Sequence, residues 1–563
     1  MITLASGVAI FLASRLVFLD ADVPTIKLTQ YSPIDEFAYS VPAFNLLHYG
    51  TWTHQVAAWA PVEGWPMNVL QNVVAAFTMQ VVGYTYWGLR ASSILFGLVA
   101  FLAMVGVIER ATRETPERAE DSRRWPLAIL TASVILLLVD FSSLISGRVV
   151  EPTISRVAVV AGLVWLISRG TFLGNRPEFR RNLVLGLLVG GAVWFVYIYN
   201  VFLIPGVLVA VLAWAWKQGR PAVARHATAF VAGVAIATAA YFVAIWAVYH
   251  LSPVGWYQTW IASYGNSARF EGPTIAHLTS LLDANIFRLD RPFLLLFLLG
   301  LPIFAWWTVK VRRPWAVLVW SLLIFFVAQS AFIADYPQRK FLILVVMALP
   351  STAVAILWRG PFIDWLLRTR VAWLPAVVWV LGVVGLVVRR ISSFSLTPTF
   401  DLMLRASAWI GVVALLLWLI SRSRPLTVIS AAVAFATMVT PLAYLDATYV
   451  YRHPTYSYRD TLIAVRREID GHITAGSLAF GMQLYNQSLP VLNGYFYGIS
   501  RQQYNDDVVR LFAEGGADTM FEYDRPGQRA TWEARGFKLV EVYDIKLPNG
   551  WRMGRYVWSG TTP

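Results

Sequence analysis

Thirteen apolar stretches, most of them near 20 residues long and almost free of charge, limit what this chain can fold into. A helix needs about 20 residues to cross the hydrocarbon of a bilayer, where every backbone N–H and C=O must find its partner within the segment. The stretches lie near 2 to 19, 88 to 107, 126 to 145, 155 to 168, 183 to 199, 201 to 216, 227 to 250, 292 to 309, 315 to 333, 341 to 358, 371 to 388, 406 to 420 and 426 to 445. With 563 residues, 57% hydrophobic and 14% charged, the chain is too apolar for a soluble protein and too long for one domain. It reads as a polytopic membrane protein whose solvent is the lipid bilayer. The first stretch has no basic leader and no A-x-A site, so it is expected to be a retained span.

Charge sets the expected topology. The loops starting near 108, 169, 217, 310, 359 and 421 carry twenty Lys and Arg, against about nine in the alternate loops. Cytoplasmic loops collect such an excess, which places the N-terminus in the cytoplasm and, after an odd number of spans, the C-terminal region outside. The net charge of +14 is thereby explained without nucleic acid, since no basic run is interleaved with aromatics. There are no cysteines, which excludes disulfides, thiolate metal sites and Cys nucleophiles.

Residues 68 to 84 are apolar enough to imitate another span, but counting them would turn the Arg-rich loop 108 to 125 outward. They are expected to form a helix lying along the membrane surface. Residues 20 to 87 then form one long external loop with few charges and many aromatic rings, which favour the headgroup zone. From about 446 the composition changes. YRDTLIAVRREIDGHI and NDDVVRLFAEGG look helical, whereas AGSLAFGM, ADTMFEY and GFKLVEVYDI look strand-like. The fold class expected is an α-helical polytopic membrane module over 1–445 followed by a soluble external α/β domain over 446–563. The aromatic stretch LPVLNGYFYGISRQQY of that domain fits packing better than saccharide binding.

On this topology several polar clusters face one side. Asp35 and Glu36 are adjacent in the first external loop. Paired carboxylates beside a membrane are costly to desolvate and more often face a wet site than lipid. SGRVVEPTISR contributes Arg148, Glu151 and Arg156, and ADYPQRK contributes Tyr336, Arg339 and Lys340. The loop 251 to 291 adds Trp256, Arg269 and His277 among others. A carboxylate can act as general base toward a hydroxyl, and Arg can hold a phosphate bidentately. A base beside a phosphate clamp is what glycosyl transfer from a lipid phosphate needs.

SPIDEFAYSVPAFNLLHYGTW resembles the first external loop of the GT-C glycosyltransferases, notably bacterial protein O-mannosyltransferases and aminoarabinose lipid A transferases. APVEGWPMNVLQNVVAAFTMQVVGYTYWGLRASSILFG resembles the family's Pro-rich turn, amphipathic segment and the Arg opening the second span, here Arg90. SGRVVEPTISR is similar to its second acidic motif, which puts Glu151 at the second acid, and YPQRKFLILVVMALP to its late external Arg motif. The resemblance implies a bacterial inner or plasma membrane enzyme that moves a sugar, by an inverting reaction, from a polyprenyl-phosphate donor to a protein, lipid or glycan acceptor on the outer face. It implies Asp35 as general base with Glu36 and Glu151 in the catalytic set. Arg148, Arg339, Lys340 and Arg90 become the expected donor-phosphate ligands, and Tyr39, Trp65, Tyr336, Trp256 and Arg269 the expected substrate contacts. Two positions depart from the pattern, because Ala60 and Asn200 stand where a Lys is common.

No cofactor is expected. His48 and His54, with Glu36 or Glu63 as a third ligand, would allow a divalent metal, but six residues apart they match no standard spacing. The rival reading is a transporter or flippase of a lipid-linked saccharide. Transporters place ionisable groups near the bilayer midplane in repeated halves, and these spans carry almost none and show no repeat.

Overall fold

The computed structural model describes residues 2–21, 42–43, 46–47, 69–83, 85–113, 148, 150, 152–173, 178–249, 252–256, 291–332, 337–369, 373–391, 397–421 and 423–452 of the helical region. Beyond it, residues 456, 460, 464, 467–472, 477–480, 491–492, 508–510, 512–515, 518–524, 526–546 and 552–560 are described.

The helices run in the order α1 (Ile2–Leu16), α2 (Val69–Val82), α3 (Tyr86–Arg113), α4 (Pro152–Ser168), α5 (Phe179–Gly191), α6 (Leu203–Trp216) and α7 (Arg220–Tyr249). They continue with α8 (Arg291–Val311), α9 (Pro314–Phe332), α10 (Pro337–Arg368), α11 (Trp373–Ile391), α12 (Pro398–Ile420) and α13 (Arg424–Asp446). Proline opens α4, α9, α10 and α12, where its missing N–H costs nothing and its fixed φ suits the first turn. At α12 the preceding Thr397 adds a cap, its hydroxyl accepting from the Phe400 amide at 3.2 Å.

Among the described residues eight helices are long and apolar enough to cross a membrane, and shorter apolar helices occupy the expected spans at 2 to 19, 155 to 168, 292 to 309 and 371 to 388. The span expected at 126 to 145 lies outside the described residues. The outward faces are apolar, with Val243, Trp246, Leu381 and Ile420 more than 60% exposed. In water such a surface would aggregate, so these faces fit a bilayer and the chain is an integral membrane protein. Residues 69–82 are helical as expected, and their polar side is turned inward. Gln71 is buried and donates to the hydroxyls of Ser92 and Ser93 on α3.

Helix packing in lipid gains little from hydrophobicity and rests on close contact, so small residues collect where helices cross. The tightest crossing joins α5 and α7. A Cβ on Gly186 would lie 2.1 Å from the Phe230 carbonyl, and one on Gly233 2.1 Å from the Leu183 carbonyl. The main core runs from α3 through α13, with Trp307, Trp315, Phe304 and Phe230 fully buried.

The C-terminal region builds a five-stranded mixed sheet from β1 (Ser477–Phe480), β2 (Val491–Leu492), β3 (Thr519–Asp524), β4 (Phe537–Lys546) and β5 (Arg552–Trp558), in the order β2-β1-β3-β5-β4. β1 pairs in parallel with β2 and β3, whereas β5 runs antiparallel to both β3 and β4. Trp532, on α14 (Pro526–Glu533), closes a core with Phe512, Met520, Phe537 and Tyr556. An α/β domain is what the sequence implies; β2, β5 and α14 are additions to that reading. α13 continues into a π-helical turn (Ala447–Tyr451), where the Tyr451 hydroxyl donates to the Ser14 carbonyl of α1 at 2.7 Å.

Candidate active site

Two buried arginines hold the turn at the end of α1. Arg90, 3% exposed on the first turn of α3, donates through Nη1 to the Leu19 and Ala21 carbonyls, each at 2.6 Å. Arg148, 7% exposed, donates through Nη2 to the Val17 carbonyl at 2.7 Å and to the Phe18 carbonyl. Carbonyls of the turn beyond Leu16, the last residue of α1, lie outside the helix ladder, and guanidinium donors supply them. Phe18 adopts a left-handed φ of 54° in this turn, which turns successive carbonyls toward the two cations. Burial, aided by the neighbouring Arg90 charge, holds the Arg148 guanidinium down at about 10, so it stays charged at neutral pH. Two of the four expected phosphate ligands are thus built into the turn that follows α1.

A second cationic centre stands on α4. Arg156, 2% exposed, donates through Nε to Asn200 Oδ1 at 3.2 Å and through Nη2 to the Tyr199 carbonyl at 3.3 Å. Its guanidinium also lies 5.1 Å from the Tyr197 ring centroid. These partners sit in a broken hairpin. α5 passes into a π-helical turn (Ala192–Val196), an extended Tyr197 and a 3₁₀ turn (Ile198–Asn200) before α6 begins. Such a break frees backbone groups that lipid would leave unpaired, and side-chain amides bind them. Asn200 Nδ2 donates to the Ala192 carbonyl at 2.9 Å. Gln329 of α9 donates to the Tyr199 carbonyl at 2.8 Å and accepts from the Phe202 amide at 3.1 Å. Asn200 therefore holds the hairpin and Arg156 together, where a Lys is common in the resembling family.

The remaining expected residues distribute as follows. Arg339 and Lys340 lie in the first turn of α10, which begins just after α9 delivers Gln329. Trp256 is 5% exposed and packs among Trp194, Tyr241 and Phe242, with ring centroids 5.6–6.2 Å from its own. That places it in an aromatic core beside the broken hairpin. Asp35, Glu36, Tyr39, Trp65, Glu151, Arg269 and Tyr336 lie outside the described residues, as do His48, His54 and Glu63.

In sequence, the segments carrying these acids adjoin elements at this end of the bundle. The loop carrying Asp35 leaves from the turn gripped by Arg90 and Arg148. Eight residues after Asp35 it returns as Ala43, fully buried against Ala75, Ala76, Met79, Leu89 and Val150. Glu151 immediately precedes α4, between Arg148 and Arg156. The α1 exit, the starts of α3, α4, α6 and α10 and the end of α9 thus meet at one end.

No protein-family model matches the chain, and no curated protein matches it in sequence. Solved structures do match. One is ArnT from Cupriavidus metallidurans bound to undecaprenyl phosphate, at 14% identity and TM-score 0.56, covering 100% of this chain and 98% of that one. The chain has the GT-C fold. The oligosaccharyltransferase AglB from Archaeoglobus fulgidus, in complex with an inhibitory peptide and a dolichol-phosphate, aligns at 11% identity and TM-score 0.49, over 99% of this chain and 74% of that one. In the GT-C fold of this chain, two residues beyond the expected set shape the candidate site: Asn200 and Gln329. Gln329 carried a visible signal, an amide within an otherwise apolar span, which lipid tolerates only where the side chain finds partners.

Proposed function

We propose that this chain is a membrane glycosyltransferase. It moves a sugar from a polyprenyl-phosphate donor to a hydroxyl acceptor at the bundle end that carries Arg90, Arg148 and Arg156, which the loop charges assign to the outer face. The observation that carries this reading is the convergence of helix ends there, which gathers buried cations around the anchors of the loop bearing Asp35 and Glu36. The GT-C fold, shared over the whole chain with a structure bound to undecaprenyl phosphate, supports it.

In the step we assign, the Asp35 carboxylate takes the proton of the acceptor hydroxyl as its oxygen bonds to the anomeric carbon. The bond from that carbon to the phosphate oxygen breaks on the opposite side, and polyprenyl phosphate leaves with the electron pair. Attack opposite the leaving group inverts the anomeric centre. Arg339 and Lys340, on the first turn of α10 where the helix dipole also favours an anion, receive the growing phosphate charge. Arg148 and Arg90 hold the loop that presents the base. Glu151 positions the acceptor or Arg148.

Incubating the purified full chain with a radiolabelled polyprenyl-phosphate sugar and a membrane extract as acceptor source tests this reading. Free polyprenyl phosphate should be released in step with a labelled product. Movement of intact donor across a vesicle bilayer without its cleavage would replace the transferase with the transporter.

A further inference from the structure

At the opposite end of the bundle a second feature is unaccounted for by sugar transfer. Ser168, the last residue of α4, lies twelve residues beyond Arg156, about 18 Å along the helix axis. It borders a cavity of about 840 Å³ formed by the ends of α3, α4, α6 and α8 and the starts of α7 and α9. Arg110, Lys217, Arg225, Arg312 and Arg313 line it together with His226. No Asp or Glu is among the described residues that line it. Solvated loop charges would spread apart, whereas these five cations line one recess that opens to solvent.

The backbone is arranged to keep them there. Arg312 adopts a left-handed φ of 54°, a conformation that usually falls to glycine at a helix end, so the position keeps a guanidinium at a conformational cost. Lys217 Nζ donates to the Arg312 carbonyl at 2.8 Å and ties the α6 end to the α8 end. His226 is 2% exposed, and Asn182 Nδ2 bonds its Nδ1 at 2.8 Å. That contact leaves the ring proton on Nε2, which makes the imidazole one more donor. Trp216, next to Lys217 in sequence, and Val309, three residues before Arg312, are 68% and 71% exposed. An exposed Trp beside a row of cations marks the level where headgroups lie.

We propose that this pocket binds the phosphate of an anionic lipid headgroup, on the membrane face away from the sugar-transfer site. A basic recess between helices offers both the charge and the several donors that a phosphodiester requires, with its acyl chains lying against the apolar flank.

Thermal unfolding and native mass spectrometry of the detergent-purified full chain test the proposal. Added phosphatidylglycerol should raise Tm and remain bound through delipidation, while phosphatidylcholine at the same concentration should do neither. The exposed positions of Lys217, Arg225 and Arg312 allow a K217Q/R225Q/R312Q variant, which should retain at least fivefold less phosphatidylglycerol. Arg225→Gln alone should retain about threefold less, which keeps the test open if the triple variant misfolds. Equal retention by wild type and variants overturns the proposal, as does equal stabilisation by phosphatidylcholine. A Tm rise of the same size from inorganic phosphate alone overturns the lipid assignment.

Discussion

Replacing Asp35 by Asn is expected to stop sugar transfer while leaving expression and Tm unchanged. The substitution keeps the size of the side chain and removes its ability to take a proton, so the acceptor hydroxyl would have to attack unassisted. A general base contributes about 10²–10⁴-fold to a rate, and the turnover of Asp35→Asn should fall by at least about a hundredfold. Donor binding should change little, because the phosphate is assigned to Arg339 and Lys340. Glu151→Gln should lose less than Asp35→Asn, since Glu151 positions rather than accepts the proton. Measured release of polyprenyl phosphate by Asp35→Asn at anything near the wild-type rate removes Asp35 from the mechanism.

Arg156→Met should produce the largest effect through architecture. The change preserves side-chain length and apolar stem but strips Asn200 Oδ1 of its guanidinium donor and the Tyr199 carbonyl of one of two. An orphaned buried acceptor costs about 1–3 kcal/mol, and loss of the contact over Tyr197 adds about 1 kcal/mol. A drop in Tm with impaired transfer is the expected outcome, and Arg156→Lys should recover part of both. An ammonium group reaches one acceptor well but lacks the planar fork that spans two. A Tm for Arg156→Met equal to wild type would show that the broken hairpin holds without Arg156.

The spans were legible because lipid leaves so little freedom: about 20 uncharged residues imply a helix, and α3, α7, α9, α10, α12 and α13 lie where the apolar runs put them. The break between α5 and α6 was placed by the sequence near residue 200, between the runs 183 to 199 and 201 to 216, but its form was not. Residues 183 to 216 are apolar almost throughout, and the π turn at Ala192–Val196 is specified by partners that come from α4 and α9, far away in the chain. In the C-terminal domain Gly554 interrupts the alternation that would mark β5, and β2 is two residues long. At the candidate site the charged motifs around Arg148 and Arg339 were visible, yet the sequence carried no sign that Arg90 and Arg148 close the α1 exit. That role depends on carbonyls exposed by the left-handed Phe18, not on any pattern in side chains. The basic loops served in sequence only to orient the chain. Their meeting around one cavity follows from helix ends that are far apart in the chain, such as Lys217 and Arg312, 95 residues apart.

The account stands on a prenyl phosphate and a proton-accepting carboxylate meeting at the α1 exit. An experimental structure of the full chain with bound polyprenyl phosphate addresses this directly. The phosphate should contact Arg339 and Lys340, with the Asp35 carboxylate facing it across a gap that a sugar and one hydroxyl can fill. A phosphate seated instead among Lys217, Arg225 and Arg312, or an Asp35 side chain turned away from the lipid, would contradict it.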